Sequence, residues 1–229
     1  NSPKCKNQLR HWEPLMLDLE FMLQIMPKMG LALWITVQLS CLAVALSVFF
    51  GAILTALRMV GGRLSRYAII CFVEFTRGTP PLVHISIIYF LLPQIGIIFN
   101  EFWSGVAALS LIGAGYTIEI FRGAVESIST GQTDASRALG MSRLQSFFLI
   151  LLPQATRRSL PPLTNELANV VKASSLLSVI SVNELTKVAN DLIFVHFVVI
   201  EVLIELSFLY LLVVGVLMMI SRKLERQLS

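Results

Sequence analysis

Charge is scarce in this chain: only 14% of its 229 residues are Asp, Glu, Lys or Arg, against 55% that are hydrophobic. That shortage excludes an ordinary water-soluble domain, and a mean hydropathy of +0.76 agrees. Cysteine is sparse as well. Cys5, Cys41 and Cys71 make an odd number, two of them lie in apolar runs, and no Cys/His spacing suggests a metal site. Cys41 and Cys71 read as small buried hydrophobes. There is no G-x-x-x-x-G-K-[ST] phosphate loop, no H-E-x-x-H signature, no cleavable signal pattern and no internal repeat. Residue 1 is Asn rather than Met, which leaves room for sequence upstream.

What the chain does have is long apolar segments. A bilayer core needs about 20 apolar residues per helix, and the segments predict an all-α, polytopic membrane protein with about five spans. The first, Met29 to Leu57, contains no charge. The second, about Tyr67 to Leu92, is interrupted by Glu74, Arg77 and Gly78-Thr79-Pro80-Pro81, a break expected to kink it. The third runs from about Phe102 to Ile120 and includes Gly113-Ala114-Gly115, small enough for close helix approach. The fourth, about Leu163 to Val182, is the least hydrophobic, and the fifth ends near Ile220. Residues 1–28 mix Lys4, Lys6, Arg10 and Lys28 with apolar residues at helical spacing, and read as an interfacial segment leading into a membrane domain over 29–229. Lys and Arg concentrate after span one, in the loop of about 123–162 and at the C-terminus. The positive-inside rule therefore puts the N-terminus outside and the C-terminus in the cytoplasm. The net charge of +4 comes from these flanking residues and is no nucleic-acid footprint.

The loop between spans three and four is polar and compatible with a short helix. Asp134, Ala135 and Ser136 would let such a helix lie tightly in a cleft, with Arg137 beside them. Gly140 is free to take a positive φ and end it with a sharp turn. Pro153 is expected to bend the chain before it re-enters the membrane. The shape is a cytoplasmic helix-turn-helix; a plain amphipathic connector with ordinary breakers is the other reading of the same residues.

These residues resemble a known pattern. Asp134-Ala135-Ser136-x-x-x-Gly140, followed after nine residues by Ile150-Leu151-Leu152-Pro153, is similar to the E-A-A-x-x-x-G-x(9)-I-x-L-P loop of polar amino-acid ABC importer permeases. The resemblance extends over residues 30–226. It includes Glu74-Phe75-Thr76-Arg77-Gly78-Thr79-Pro80, Tyr116 to Gly123, Leu152 to Ala155, Leu160 to Asn165, and Ser174 to Ile180. It implies a type I ABC importer permease fold in a bacterial inner membrane. It also implies coupling of Asp134, Ala135, Ser136, Arg137 and Gly140 to cytoplasmic ABC ATPase subunits, a second permease chain, identical or related, and an extracytoplasmic amino-acid-binding protein. No cofactor, metal or catalytic residue is implied, because ATP would be hydrolysed by a partner. Departures keep the loop's character: Asp134 replaces Glu and Ser136 replaces Ala. Ser129 stands where Pro is common, and Ala173 stands where Asp often follows the Lys.

Ionisable groups inside spans are costly and mark cavities, partners or one another. Asn165, Glu166, Asn169 and Lys172 form one polar stripe on span four. It reads as a wall of the translocation pathway or as interhelical glue, and four such groups exceed what glue requires. Glu166 is the best candidate for a substrate contact, since the resemblance implies that it faces the internal cavity and its carboxylate suits an amino or guanidinium group. Thr79, at the span-two break, is a further pathway candidate. Glu74 with Arg77 and Glu119 with Arg122 read as i,i+3 ion pairs. His84 and His196 receive no role. Two rival readings stand beside this one: an ion-gradient-driven secondary carrier with Glu74, Glu119 and Glu166 as a proton relay and, more remotely, an intramembrane hydrolase, for which there is no H-E-x-x-H and no Ser/His pair at one depth.

Overall fold

The computed structural model describes residues 18–228, and among these every regular element is helical. Residues 1–17, most of the expected interfacial segment, lie outside the described residues. Helix α1, Leu19–Val60, starts where the Asp18 carboxylate accepts the Phe21 N–H at 2.9 Å. Its 42 residues reach about 63 Å at ~1.5 Å per residue, twice the hydrocarbon thickness of a bilayer, so α1 must tilt or project beyond it.

Helix α2, Arg63–Gly78, is followed by helix α3, Pro81–Ser86, and the run Pro81–Ile95 that α3 opens lies at 109° to α2. The cause is local. Thr79 precedes a proline and is extended (φ −115°, ψ 148°), which no helix can continue. From Ser86 the chain runs on through a π turn, Ile87–Leu91, and a 3-10 turn, Leu92–Ile95, closed by Gly96 at φ 84°. Asn100 caps helix α4, Glu101–Glu126, by accepting the Trp103 N–H at 2.9 Å.

Helices α5, Thr130–Ala138, and α6, Arg143–Ser146, fill the polar loop. A π turn, Phe147–Leu151, then leads straight into helix α7, Leu152–Ala173. The helix therefore begins earlier than the sequence suggests, with Pro161 and Pro162 inside α7 rather than before it. Pro153 sits just after the widened turn, which accommodates its missing N–H and replaces the expected bend. After a 3-10 segment, Ser174–Ile180, come α8, Leu185–His196, and α9, Ile200–Leu228.

Among the described residues three helices are long and apolar enough to cross a membrane, or four if the bent run of Arg63–Gly78 with Pro81–Ile95 is one span. The remaining expected span is α7. It is less apolar and packs against α1, α4 and α9.

The packing centre is α4, because its small residues admit neighbours. A Cβ on Gly113 would stand 3.0 Å from the Ser47 Cβ of α1 and closer still to its Oγ. One on Gly115 would stand 2.9 Å from the Thr76 Cβ of α2, and one on Gly105 2.8 Å from Leu177 Cδ1. Around this seam Leu39, Ala43, Ile85, Leu109, Val170 and Leu177 form the main buried cluster. A second, Met29, Ala32, Leu185 and Val202, closes α1 against α8 and α9.

Candidate functional site

The polar loop is an ordered helix-turn-helix. Ser129 caps α5 by accepting the Gly131 N–H at 3.3 Å, which gives the unusual Ser129 a job of its own. At the other end Gly140 takes φ 76° and donates its N–H to Arg137 O at 2.9 Å, while Met141 N–H reaches Ser136 O at 3.1 Å. That pattern is a glycine-closed helix end. Of the candidate coupling residues, Ser136 faces inward and is fully buried. Its hydroxyl meets that of Ser146 at 2.6 Å and donates to Thr133 O at 2.8 Å. Asp134, Ala135, Arg137 and Leu139 point outward, with Leu139 80% exposed and a 3.7 Å ion pair between Asp134 and Arg137. The loop thus offers a narrow face of small, charged and apolar groups on a braced frame. Arg158 of α7 braces the frame from behind, donating to both the carbonyl and the hydroxyl of Ser127 just past α4.

Above the loop, Glu119 gathers three arginines from three helices. Arg58 of α1 approaches at 2.5 Å, Arg122 of α4 at 2.8 Å, and Arg77 of α2 at 3.8 Å. Arg122 also pairs with Glu126. The Glu119–Arg122 pair is as expected. The expected Glu74–Arg77 pair does not form, because Arg77 turns instead towards α4, where its guanidinium lies 5.4 Å from the centre of the Tyr116 ring.

At the span-two break the Thr79 hydroxyl donates to Phe75 O at 2.7 Å and lies 2.9 Å from His84 Nε2. His84 Nδ1 lies 3.2 Å from Pro80 O. His84 is 2% exposed and stacks edge-on against Phe75. This lone histidine, given no role from sequence, staples the break; the signal was its position four residues after Pro80.

The α7 stripe is brought together as its spacing predicts. Asn165, Asn169 and Lys172 are exposed, Glu166 is partly buried, and Asn169 Nδ2 donates to Glu166 Oε2 at 3.4 Å. Glu166 also lines a small cleft with Ser47, Thr117 and Val170, between α1, α4 and α7. Thr79 stays apart from this stripe in its bonding, engaged at the break. Among the described residues no group of acidic, His and Cys side chains could hold a metal ion.

A profile of the family described as binding-protein-dependent transport system inner membrane component matches residues 47–229. Over 199 residues the chain is 36% identical to the glutamine transport system permease protein GlnP of Escherichia coli (strain K12), covering 85% of this chain and 90% of that one. It is 35% identical over 189 residues to the L-cystine transport system permease protein TcyB of Bacillus subtilis (strain 168), covering 80% and 81%. Among solved structures, a chain of an amino acid ABC transporter, determined with histidines, superposes with a TM-score of 0.87. Its identity is 29%, over 93% of this chain and 100% of that one. The type I importer permease fold expected from the loop is therefore the fold of this chain, and the secondary-carrier and hydrolase readings fall away. ATP hydrolysis belongs to a partner chain. The chain belongs to the family of binding-protein-dependent transport system inner membrane components, as a multi-pass permease subunit of an ABC importer.

Proposed function

We propose that this permease forms one half of the translocation pathway of an importer for polar amino acids. The observation that carries the reading is the α7 stripe. Asn165, Asn169 and Lys172 are exposed in a single chain, beside Glu166, on a helix whose opposite face, with Thr164, Ala168 and Val171, is buried within the bundle. Such groups are not left against lipid; they face water in a cavity completed by a second permease, identical or related. The glutamine and L-cystine permeases among its relatives support an amino acid as cargo.

In this reading the N-terminus is outside and the C-terminus in the cytoplasm, which places α5 and α6 on the cytoplasmic face. The outward face of α5 seats in the ATPase, with Asp134, Ala135 and Arg137 at the contact and Gly140 and Ser136 holding its shape. ATP-driven closure of the ATPases pushes α5, and the direct helical path from α6 through the π turn to α7 carries the push to the stripe. An external binding protein delivers the substrate, Glu166 receives its cationic group, and Thr79 holds the backbone break open on the opposite wall.

The test is uptake of labelled glutamine, arginine, glutamate and leucine into proteoliposomes holding the assembled transporter, with ATP trapped inside and binding protein outside. The expected outcome is ATP-dependent uptake of one or more polar amino acids. Uptake of none of them, or uptake indifferent to ATP, sinks the reading.

A further inference from the structure

Among the described residues of α1, four hydroxyl side chains are buried: Thr36, Ser40, Ser47 and Thr55. Three of them bond one turn back along the helix. Thr36 donates to Ala32 O at 3.0 Å, Ser47 to Ala43 O at 2.7 Å and Thr55 to Gly51 O at 2.7 Å. Ser40 does not. It is 2% exposed, and its Oγ has no hydrogen-bond partner among the described residues. A hydroxyl left unpaired in the apolar middle of a span is costly, because no water reaches it.

Ser40 lines a hollow of about 160 Å³ between α1, α7 and α9. Apart from the Cys41 thiol the wall is aliphatic, with Leu167 and Val171 from α7 and Val213 and Leu217 from α9. Water suits this space poorly: a buried water needs about two to four polar partners, and the wall offers one hydroxyl and a weak thiol donor. A lipid acyl chain fits the aliphatic wall but leaves the hydroxyl as it was. A small apolar molecule with one hydroxyl of its own satisfies both. The size agrees, since apolar cavities of about 150 Å³ take benzene. The hollow also lies behind the polar stripe: Leu167 follows Glu166 in sequence, and Val171 precedes Lys172.

We propose that this hollow is a regulatory site for small monohydroxy amphiphiles dissolved in the bilayer, phenols and short alcohols about the size of benzene, with Ser40 hydrogen-bonded to the ligand hydroxyl. An occupant wedged between α7 and the two helices behind it holds the stripe helix in place and slows transport. Binding stands without the importer reading; the effect on transport rests on it.

The test follows the melting temperature of the permease–ATPase complex in detergent with increasing phenol or benzene, because a ligand of the folded state raises stability with its concentration. Wild type is compared with Val213→Phe, which fills the hollow from α9, and with Ser40→Ala, which keeps the hollow and removes the hydroxyl. General effects of the two compounds are common to all three proteins and cancel in the comparison. Relative to Val213→Phe, wild type is expected to be stabilised by both compounds. Ser40→Ala should weaken apparent phenol affinity about threefold to tenfold, the worth of one hydrogen bond, and leave benzene affinity unchanged. If Val213→Phe fails to assemble, the phenol-to-benzene ratio in wild type against Ser40→Ala carries the test alone. In proteoliposomes phenol should slow ATP-driven uptake by wild type more than by Val213→Phe. No difference between wild type and Val213→Phe with either compound, or phenol affinity untouched in Ser40→Ala, overturns the site. Equal slowing of wild type and Val213→Phe overturns its regulatory role. Stabilisation of a complex that shows no ATP-dependent uptake supports the site and defeats the importer reading instead.

Discussion

Ser136 of α5 and Ser146 of α6 meet hydroxyl to hydroxyl at 2.6 Å across the Gly140 turn, one fully buried and the other 4% exposed. The bond joins the docking helix to the first turn of the helical run that re-enters the membrane, so the two arms of the loop move as one body. Ser136→Ala and Ser146→Ala should each cost about 1 kcal/mol. The double variant should cost less than the sum, a coupling that thermal unfolding of the assembled complex measures. Additive losses would mean that the hydroxyls do not act on each other.

Gly140 holds φ 76° with open space around its missing Cβ, so backbone strain rather than collision decides what can replace it. A β-branched residue there costs roughly 1–3 kcal/mol, and the turn re-forms elsewhere if it can. Gly140→Val should insert into membranes normally but lose ATP-driven uptake, while Gly140→Asn, tolerant of the left-handed region, should keep most of it. Normal uptake by the valine variant removes the coupling mechanism.

Glu166 offers its carboxylate beside Asn169 and Lys172 on the exposed side of α7. Glu166→Gln keeps shape and loses charge. It should therefore slow uptake of arginine more than of glutamine, because only the former carries a second cation to be met. An equal effect on both, compared as kcat/KM, would demote Glu166 to a structural role.

Gly115 gives Thr76 its place, and a methyl group there has nowhere to go. Gly115→Ala should destabilise the complex by about 1–3 kcal/mol through overpacking. Thr76→Ala in the same chain should recover part of that, read as the melting temperature in detergent. Failure of Thr76→Ala to help would place the strain elsewhere.

Much of this architecture was legible in the residues. Gly140 was free to take a positive φ and close the loop helix, and Thr79-Pro80-Pro81 was expected to break span two. Asn165, Glu166, Asn169 and Lys172 fell on one face by helical period alone. What escaped depends on other helices. Arg77 has Glu74 at helical spacing, and spacing along one helix favours that pair, but α2 packs on α4 and gives Arg77 to Tyr116 and Glu119 instead. Pro161 and Pro162 read as the end of a loop. They sit inside α7 because the carbonyls they release belong to Arg157 and Arg158, two exposed residues whose backbone water or neighbours can satisfy. Ser146 and His84 carried no signal beyond their distance from a turn.

The close seam between α4 and its neighbours has a mechanical consequence. Where the glycine backbone of one helix seats a side chain of the other, Gly113 against Ser47 and Gly51 against Thr117, neither helix can roll without collision: a Cβ on Gly51 would already stand 2.5 Å from Thr117 Cγ2. The α1–α4 pair is the fixed axle of the subunit. Any stroke delivered by the motor must appear as a swing of the segments hung from it, the α2–α3 elbow on one side and α7 on the other, with Arg77 and Glu166 riding on opposite arms.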